Sequence, residues 1–375
     1  MTKNRIDFEL LDGTVAILVF GIFALSSISA QFSLNIFGNS TYYLFHQIIF
    51  GIVPGFILGF IAFKINISFY KRICFIFLIT TLFLMFLVFI PGIGFRSSGA
   101  SRWLKLRSFS IQPSEFLKLS FIMYIAEWLA KKNDGEKIKK NARDWKVTFL
   151  PFLIIAGFIT LALMLQKDMG TLMIILSSAF VIYFTAGTSI FENILIIFGG
   201  GGLVYLLIFF SGYRSNRIKV WIDFISNSLN PDHDPMGIGY QIKQAIMAVG
   251  SGGILGIGVG MSAQGIPQPM SDSIFALIAE EMGFLGCLLI ILLFLFFIWR
   301  IVKIAKNSKD NFSKFFTMGV GAWICSQAFI NMSAITGLLP LTGIPLPFIS
   351  YGGTHILVEL VAVGMVLNIS KQNRK

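Results

Sequence analysis

Residues 268–298 read QPMSDSIFALIAEEMGFLGCLLIILLFLFFI. From Ile274 onward this is 25 residues with two carboxylates and no cation, and a helix needs about 20 mainly apolar residues to cross a bilayer core. Asp272 stands at the mouth of that run. Before it lies a polar stretch from Ser211 to Ser273, far longer than the other connections between apolar runs. A carboxylate at the end of a membrane helix, under a large loop, is where chemistry is to be sought.

The rest of the chain has the same character. Of 375 residues, 55% are hydrophobic, 13% are charged and 40 are Phe, more apolar surface than a soluble domain can bury. Apolar runs at about 14–34, 42–63, 73–94, 114–130, 147–165, 171–187, 193–210, 274–298, 315–337 and 355–370 predict an all-α polytopic membrane protein. Its about ten transmembrane helices form a single membrane domain over 1–375, with the outer loop 211–273 between helices 7 and 8. The first run is preceded by Asp7, Glu9 and Asp12 and followed by no small-x-small cleavage site, so it reads as a helix and not a signal peptide. Cys74, Cys287 and Cys325 lie inside apolar runs and read as packing residues, with no disulfide or metal implied.

The 30 Lys and Arg exceed the 18 Asp and Glu, but they sit in short loops, which argues for membrane topology over nucleic acid. Most fall on one side if both termini are cytoplasmic. Arg96, Arg102, Lys105, Arg107, Lys118, Lys167, Arg214, Arg217, Lys219 and Lys243 defy that bias, and an anionic ligand at the outer face would explain them.

Within the loop, 217–229 and 240–249 have the apolar spacing of short amphipathic helices. Asn230-Pro231-Asp232-His233-Asp234-Pro235 is turn chemistry, with Asp232 and Asp234 as a weak metal alternative. Glycines recur from Gly250 to Gly260 without a P-loop or dinucleotide fingerprint; they would serve phosphate binding or close packing. Asp272 reads either as a helix N-cap, whose dipole would lower its pKa, or as a general base. Glu280 and Glu281 follow roughly 12–14 Å down the same helix. Glu115 and Lys118 are spaced to pair on one helix face. Gln166-Lys167-Asp168 predicts a local ion pair, and Glu127 and Glu359 need interior partners. Residues 337–354 carry three prolines and cannot be a regular helix; such backbone at membrane depth must be buried in protein or line a cavity.

These segments, in order, resemble the RodA/FtsW/SpoVE family of shape, elongation, division and sporulation proteins. The resemblance rests on Gly99–Leu104 with Ile111–Leu119, on Gln166–Thr171, on Asn230 through Gly260 with Asp272–Ala276 and Glu280–Gly283, and on the 337–354 block with Ser350. It implies a peptidoglycan glycosyltransferase that polymerises lipid II at the outer face of the cytoplasmic membrane, working with a cognate class B penicillin-binding protein. The family's essential aspartate maps onto Asp272. Arg102, Lys118, Lys243 and Lys167 become candidates for the pyrophosphate, and Trp103, Gln112, Glu115, Asp168, Glu280, Glu281 and Ser350 for support. No cofactor is required; a divalent cation is left open. Lys167 replaces a usual proline, Gln268–Ser271 replaces a commoner acidic, small, His, Thr run, and Gly353-Thr354-His355 replaces serines. A lipid-linked precursor flippase and a non-catalytic scaffold of a cell-wall synthase are the competing readings.

Overall fold

The computed structural model describes residues 6–97, 100–106, 109–133, 147–209, 212–226, 238–262 and 265–373. The chain is mostly helical. In order come α1 (Phe8–Phe37), α2 (Tyr42–Lys64), α3 (Ile67–Leu87), β1 (Gly94–Ser97), β2 (Ala100–Leu106), β3 (Phe109–Ile111) and α4 (Pro113–Asn133). Then follow α5 (Phe149–Leu165), α6 (Met169–Thr185), α7 (Ile190–Phe209), α8 (Gly212–Ser226), α9 (Ile238–Ser251), α10 (Ile274–Lys306), α11 (Asn311–Ile335) and α12 (Gly353–Asn373). Six of these, α1, α2, α3, α10, α11 and α12, are long and apolar enough to cross a membrane.

Local chemistry sets several ends outside the expected bounds. The Asp7 carboxylate accepts from Leu10 N at 3.0 Å, so α1 starts well before residue 14. Asn66 caps α3 through Ser68 N at 3.0 Å, and the helix ends at Leu87, just short of Pro91-Gly92.

The all-α expectation fails at 94–111. There the chain forms a three-stranded antiparallel sheet in the order β1-β2-β3, pairing Phe95 with Trp103 and Leu104 with Ile111. Alternation along β2 buries Leu104, while Lys105 on the other face stays exposed.

α4 is buried along almost its whole length and lies against α3, α6 and α11. A helix enclosed by other helices needs no uniform apolar surface, which is why α4 carries Glu115, Lys118 and Glu127. Glu127 finds Lys131 at 3.3 Å.

The tightest helix pair is α2 with α12. Gly51, Gly55 and Gly59 recur every fourth residue on α2, and a Cβ on Gly59 would lie 2.8 Å from Leu360 O. Gly364 answers from α12, where a Cβ would come within 2.2 Å of Gly59 O. Small residues at this spacing let membrane helices approach backbone to backbone.

α10 kinks at Gly283 (φ 64, ψ −162). The glycine-rich segment docks into the kink: Ile257 N donates to Glu280 O at 2.9 Å, Gly258 N to Glu281 O at 3.2 Å, and Phe284 N to Gly253 O at 2.9 Å. Close packing is the use of Gly252, where a Cβ would stand 1.9 Å from Ala279 O, and of Gly256, and the Ile257 and Gly258 amides are committed to α10 carbonyls. At Gly256, φ is +83 and a Cβ would stand 2.1 Å from Glu281 O. Gly256→Ala is expected to cost about 2–4 kcal/mol from left-handed strain plus overpacking. A clear drop in the thermal midpoint of purified protein follows; an unchanged midpoint contradicts this packing.

The bundle has two distinguishable ends. At one, Asp7 N donates to Ser370 Oγ at 3.2 Å and the Asp7 carboxylate accepts from Arg300 Nη2 at 2.5 Å, so the start of α1, the far end of α10 and the last turns of α12 meet. Asp272 lies at the opposite end of α10.

Candidate functional site

Asp272 lies in the turn before α10, and the side chain does not cap that helix. Ser273 holds the N-cap position without a side-chain cap bond. The Asp272 Oδ1 accepts instead from Ser271 Oγ at 3.1 Å, and Gln241 of α9 and Arg217 of α8 face the carboxylate. Burial pushes its pKa above the usual carboxylate range, outweighing the Asp272 backbone N–H, the Ser271 hydroxyl, the Arg217 charge and the Gln241 amide, which all pull it down. The expected lowering by the helix dipole is thus overturned by desolvation. The result is a stronger base than an ordinary carboxylate.

The irregular segment between α11 and α12 clamps this turn. Ser350, fully buried, donates from Oγ to Ser271 O and accepts from Leu346 N at 2.8 Å. Tyr351 N donates to Met270 O at 2.8 Å. Asn331 of α11 spans both sides: its Nδ2 donates to Asp272 O at 2.8 Å and to Ile344 O at 2.7 Å. A Cβ at Gly343 would sit 3.6 Å from Asp272 Oδ2, so a small residue there leaves the carboxylate room. From α8, Arg217 Nη1 and Trp221 Nε1 reach Leu341 O at 2.9 Å and Gly337 O at 2.8 Å.

Beneath the clamp a polar network runs into the bundle. Gln327, one turn before Asn331, donates to Pro345 O at 3.1 Å and to Glu359 Oε1 at 3.3 Å, and Glu359 Oε2 accepts from Phe348 N at 2.8 Å. Gln327 Oε1 accepts from Lys118 Nζ at 2.9 Å. Lys118 pairs with Glu115 at 2.7 Å and lies 4.8 Å over the Trp323 ring. Lys118 is 1% exposed, so this cation sits inside the protein with its charge matched.

Arg102, Gln112, Lys167 and Asp168 form a second cluster, while Trp103 pairs with Phe95 in the sheet. Arg102 Nη2 donates to Lys167 O, and its Nε is buried without a hydrogen-bond partner. Lys167 is exposed at φ 57, a left-handed conformation closed to proline. The local ion pair expected with Asp168 does not form. Asp168 caps α6 through Thr171 N at 3.3 Å and also accepts from Thr171 Oγ1 at 2.9 Å, Ser114 Oγ at 3.1 Å and Gln112 Nε2 at 3.4 Å. The start of α6 packs on the clamp, since a Cβ on Gly170 would fall 2.5 Å from Ile344 Cγ1. The cluster and the Asp272 turn therefore meet the same segment around Gly343 and Ile344, α6 against the Ile344 side chain and Asn331 on Ile344 O.

Lys243 is half-buried on α9, two residues from Gln241. Glu280 and Glu281 are buried, and Glu281 Oε2 accepts from Ser27 Oγ of α1 at 2.6 Å. Asp232 and Asp234 lie outside the described residues.

Sequence reasoning missed Gln327 and Asn331, both on α11. The signal available was amide side chains inside otherwise apolar helices, which in membranes bond across helices.

The chain belongs to the FtsW/RodA/SpoVE family of cell cycle proteins, whose family model matches residues 9–375. It is 37% identical to a probable peptidoglycan glycosyltransferase FtsW of Trichlorobacter lovleyi, over 97% of this chain and 93% of that one. It is 36% identical to the stage V sporulation protein E of Bacillus subtilis, over 99% of each. Among solved structures it superimposes on a chain of a peptidoglycan synthase complex with TM-score 0.79 at 23% identity, covering 98% of both. The rod shape determining protein RodA of Thermus thermophilus gives TM-score 0.69 at 21% identity, covering 99% of this chain and 98% of that one.

Proposed function

We propose that this protein is a peptidoglycan glycosyltransferase that polymerises lipid II into glycan strands at the outer face of the cytoplasmic membrane, for cell elongation or division. The observation that carries the site is the Asp272 carboxylate: half-buried, not engaged in capping, and held at its turn by Asn331 on Asp272 O and Ser350 on Ser271 O. Its relatives' activity supplies the reaction.

The acceptor's 4-hydroxyl oxygen attacks C1 of the lipid-linked donor. The new O–C1 bond forms as the bond from C1 to the pyrophosphate oxygen breaks, and undecaprenyl pyrophosphate leaves with the electron pair. Asp272 takes the hydroxyl proton. Charge grows on the leaving group, where cations count most. We assign that role to Arg102 first, because guanidinium binds phosphate in a bidentate way, with Lys167 and Lys243 behind it. Lys118, matched by Glu115, moves from ligand to support. Trp103, Gln112, Asp168, Glu280 and Glu281 also stand in support.

In this reading about ten helices span the bilayer, both termini are cytoplasmic, and residues 211–273 form the outer loop. The apolar groove between helices takes the polyprenyl chains. A class B penicillin-binding protein crosslinks the product. The buried Lys118 network is the feature a flippase would use, yet its charges are paired within the protein and lie under the clamp.

The test is glycan formation from lipid II by purified protein with its penicillin-binding partner. Polymer is expected, and Arg102→Ala should lower kcat at least about tenfold through the lost charge-assisted contact to the leaving group. Translocation of lipid II across proteoliposomes without any polymer would overturn the assignment.

A further inference from the structure

At the end of the bundle that joins both termini, a cavity of about 260 Å³ opens between the last turn of α2, the start of α3 and the last turns of α12. Lys64 and Lys371, some three hundred residues apart in sequence, both line it. Lys64 Nζ lies 5.2 Å from the Phe60 ring centroid and 5.8 Å from that of Phe63, and Lys371 Nζ lies 5.6 Å from the Phe63 ring, so both lysines border the cavity beside one ring. Among the described residues neither pairs with a carboxylate. Asn66, at the cap of α3, also lines the cavity and adds the positive end of that helix dipole.

A lysine at a helix end ordinarily snorkels to water alone. Here two from separate helices line one open cavity, and neither pairs with a carboxylate of the described residues. A face of α2 also leads away from the cavity toward the other end of the bundle: Phe56, Ile57, Phe60 and Ile61 are 46–63% exposed and recur at helical spacing. Beside a phosphate-sized basic cavity, such a strip suits acyl chains.

We infer that the Lys64–Lys371 cavity is a binding site for the headgroup of an anionic phospholipid, whose acyl chains lie along the exposed face of α2. Basic pockets between membrane helices recognise such headgroups in general. The ligand chemistry, a phosphate anion, is shared with free phosphate; the apolar strip decides for the lipid. The site is separate from the Asp272 chemistry, at the opposite end of the bundle.

The test is native mass spectrometry of the purified full-length protein with dioleoylphosphatidylglycerol or dioleoylphosphatidylcholine. Wild type should retain the glycerol lipid at least about tenfold better, and Lys64→Gln with Lys371→Gln should erase that preference. The pair Lys64→Arg with Lys371→Arg should restore it, which separates charge recognition from misfolding. Millimolar inorganic phosphate should not displace the lipid. Equal retention of both lipids by wild type, retention unchanged in the Gln pair, loss in the Arg pair, or displacement by phosphate would each overturn the site. So would an equal loss from Lys303→Gln with Lys306→Gln, since that is diffuse charge at the same end of the bundle.

Discussion

Asp272→Asn should lower the turnover of lipid II polymerisation by about 10²–10⁴, the usual worth of a positioned general base, and leave the protein folded. The second half of that expectation follows from linkage. Burial raises the Asp272 pKa in the folded state, so the native protein binds that proton more tightly than the unfolded chain. Stability from this group therefore rises as pH falls through the window between the ordinary and the raised value, and ionised Asp272 costs stability at neutral pH. A neutral isostere relieves that cost. The thermal midpoint of Asp272→Asn should match or exceed wild type at neutral pH, and substrate retention should persist because Arg102, Lys167 and Lys243 are untouched. Turnover equal to wild type would remove the carboxylate from the mechanism. A midpoint several degrees lower would return it to a structural role.

Lys118→Met carries the largest expected loss of stability. Lys118 is buried, paired with Glu115 at 2.7 Å and bonded to Gln327 at 2.9 Å. Removing one member of a buried pair leaves the other charge uncompensated, at a cost of about 3–5 kcal/mol. It also takes a donor from Gln327, whose amide holds the clamp through Pro345 O. Met fills much of the volume and keeps the contact with Trp323, so the loss should track charge and not a cavity. Lys118→Met with Glu115→Gln should recover most of the thermal midpoint. A single variant as stable as wild type, or a double variant worse than the single, contradicts this account.

What could be read from the sequence divides along the range of the forces involved. The uninterrupted apolar run after Gly283 declares a membrane helix by itself, and Glu115 with Lys118 pair because a helix sets them one turn apart. The irregularity of 337–354 was likewise legible, since proline removes the amides a helix needs. The sheet at 94–111 was hidden: Arg102, Ser97, Ser101 and Ser110 blur the alternation, and its pairing is with its own strands. The docking of Gly252–Gly258 into the Gly283 kink depends on residues 23–31 positions apart, which no local pattern reports. The same holds for the site. Asp272 announced itself, but its freedom from capping depends on Ser273 taking the cap position, and its positioning depends on Asn331 and Ser350, 59 and 79 residues from their partners in the turn. Lys118 looked from sequence like an outer cation for pyrophosphate. Its distance from that role became visible only when Gln327 and Trp323 closed around it.

The central claim is that a desolvated Asp272 takes the proton of the acceptor hydroxyl, and the pH dependence of kcat tests it most directly. A base whose pKa is raised is protonated at higher pH than usual, so activity should fall on acidification through a limb lying above the ordinary Asp value of about 3.9. The residual activity of Asp272→Asn should lack that limb. A wild-type limb at or below the ordinary value, or one that survives in Asp272→Asn, would contradict the account.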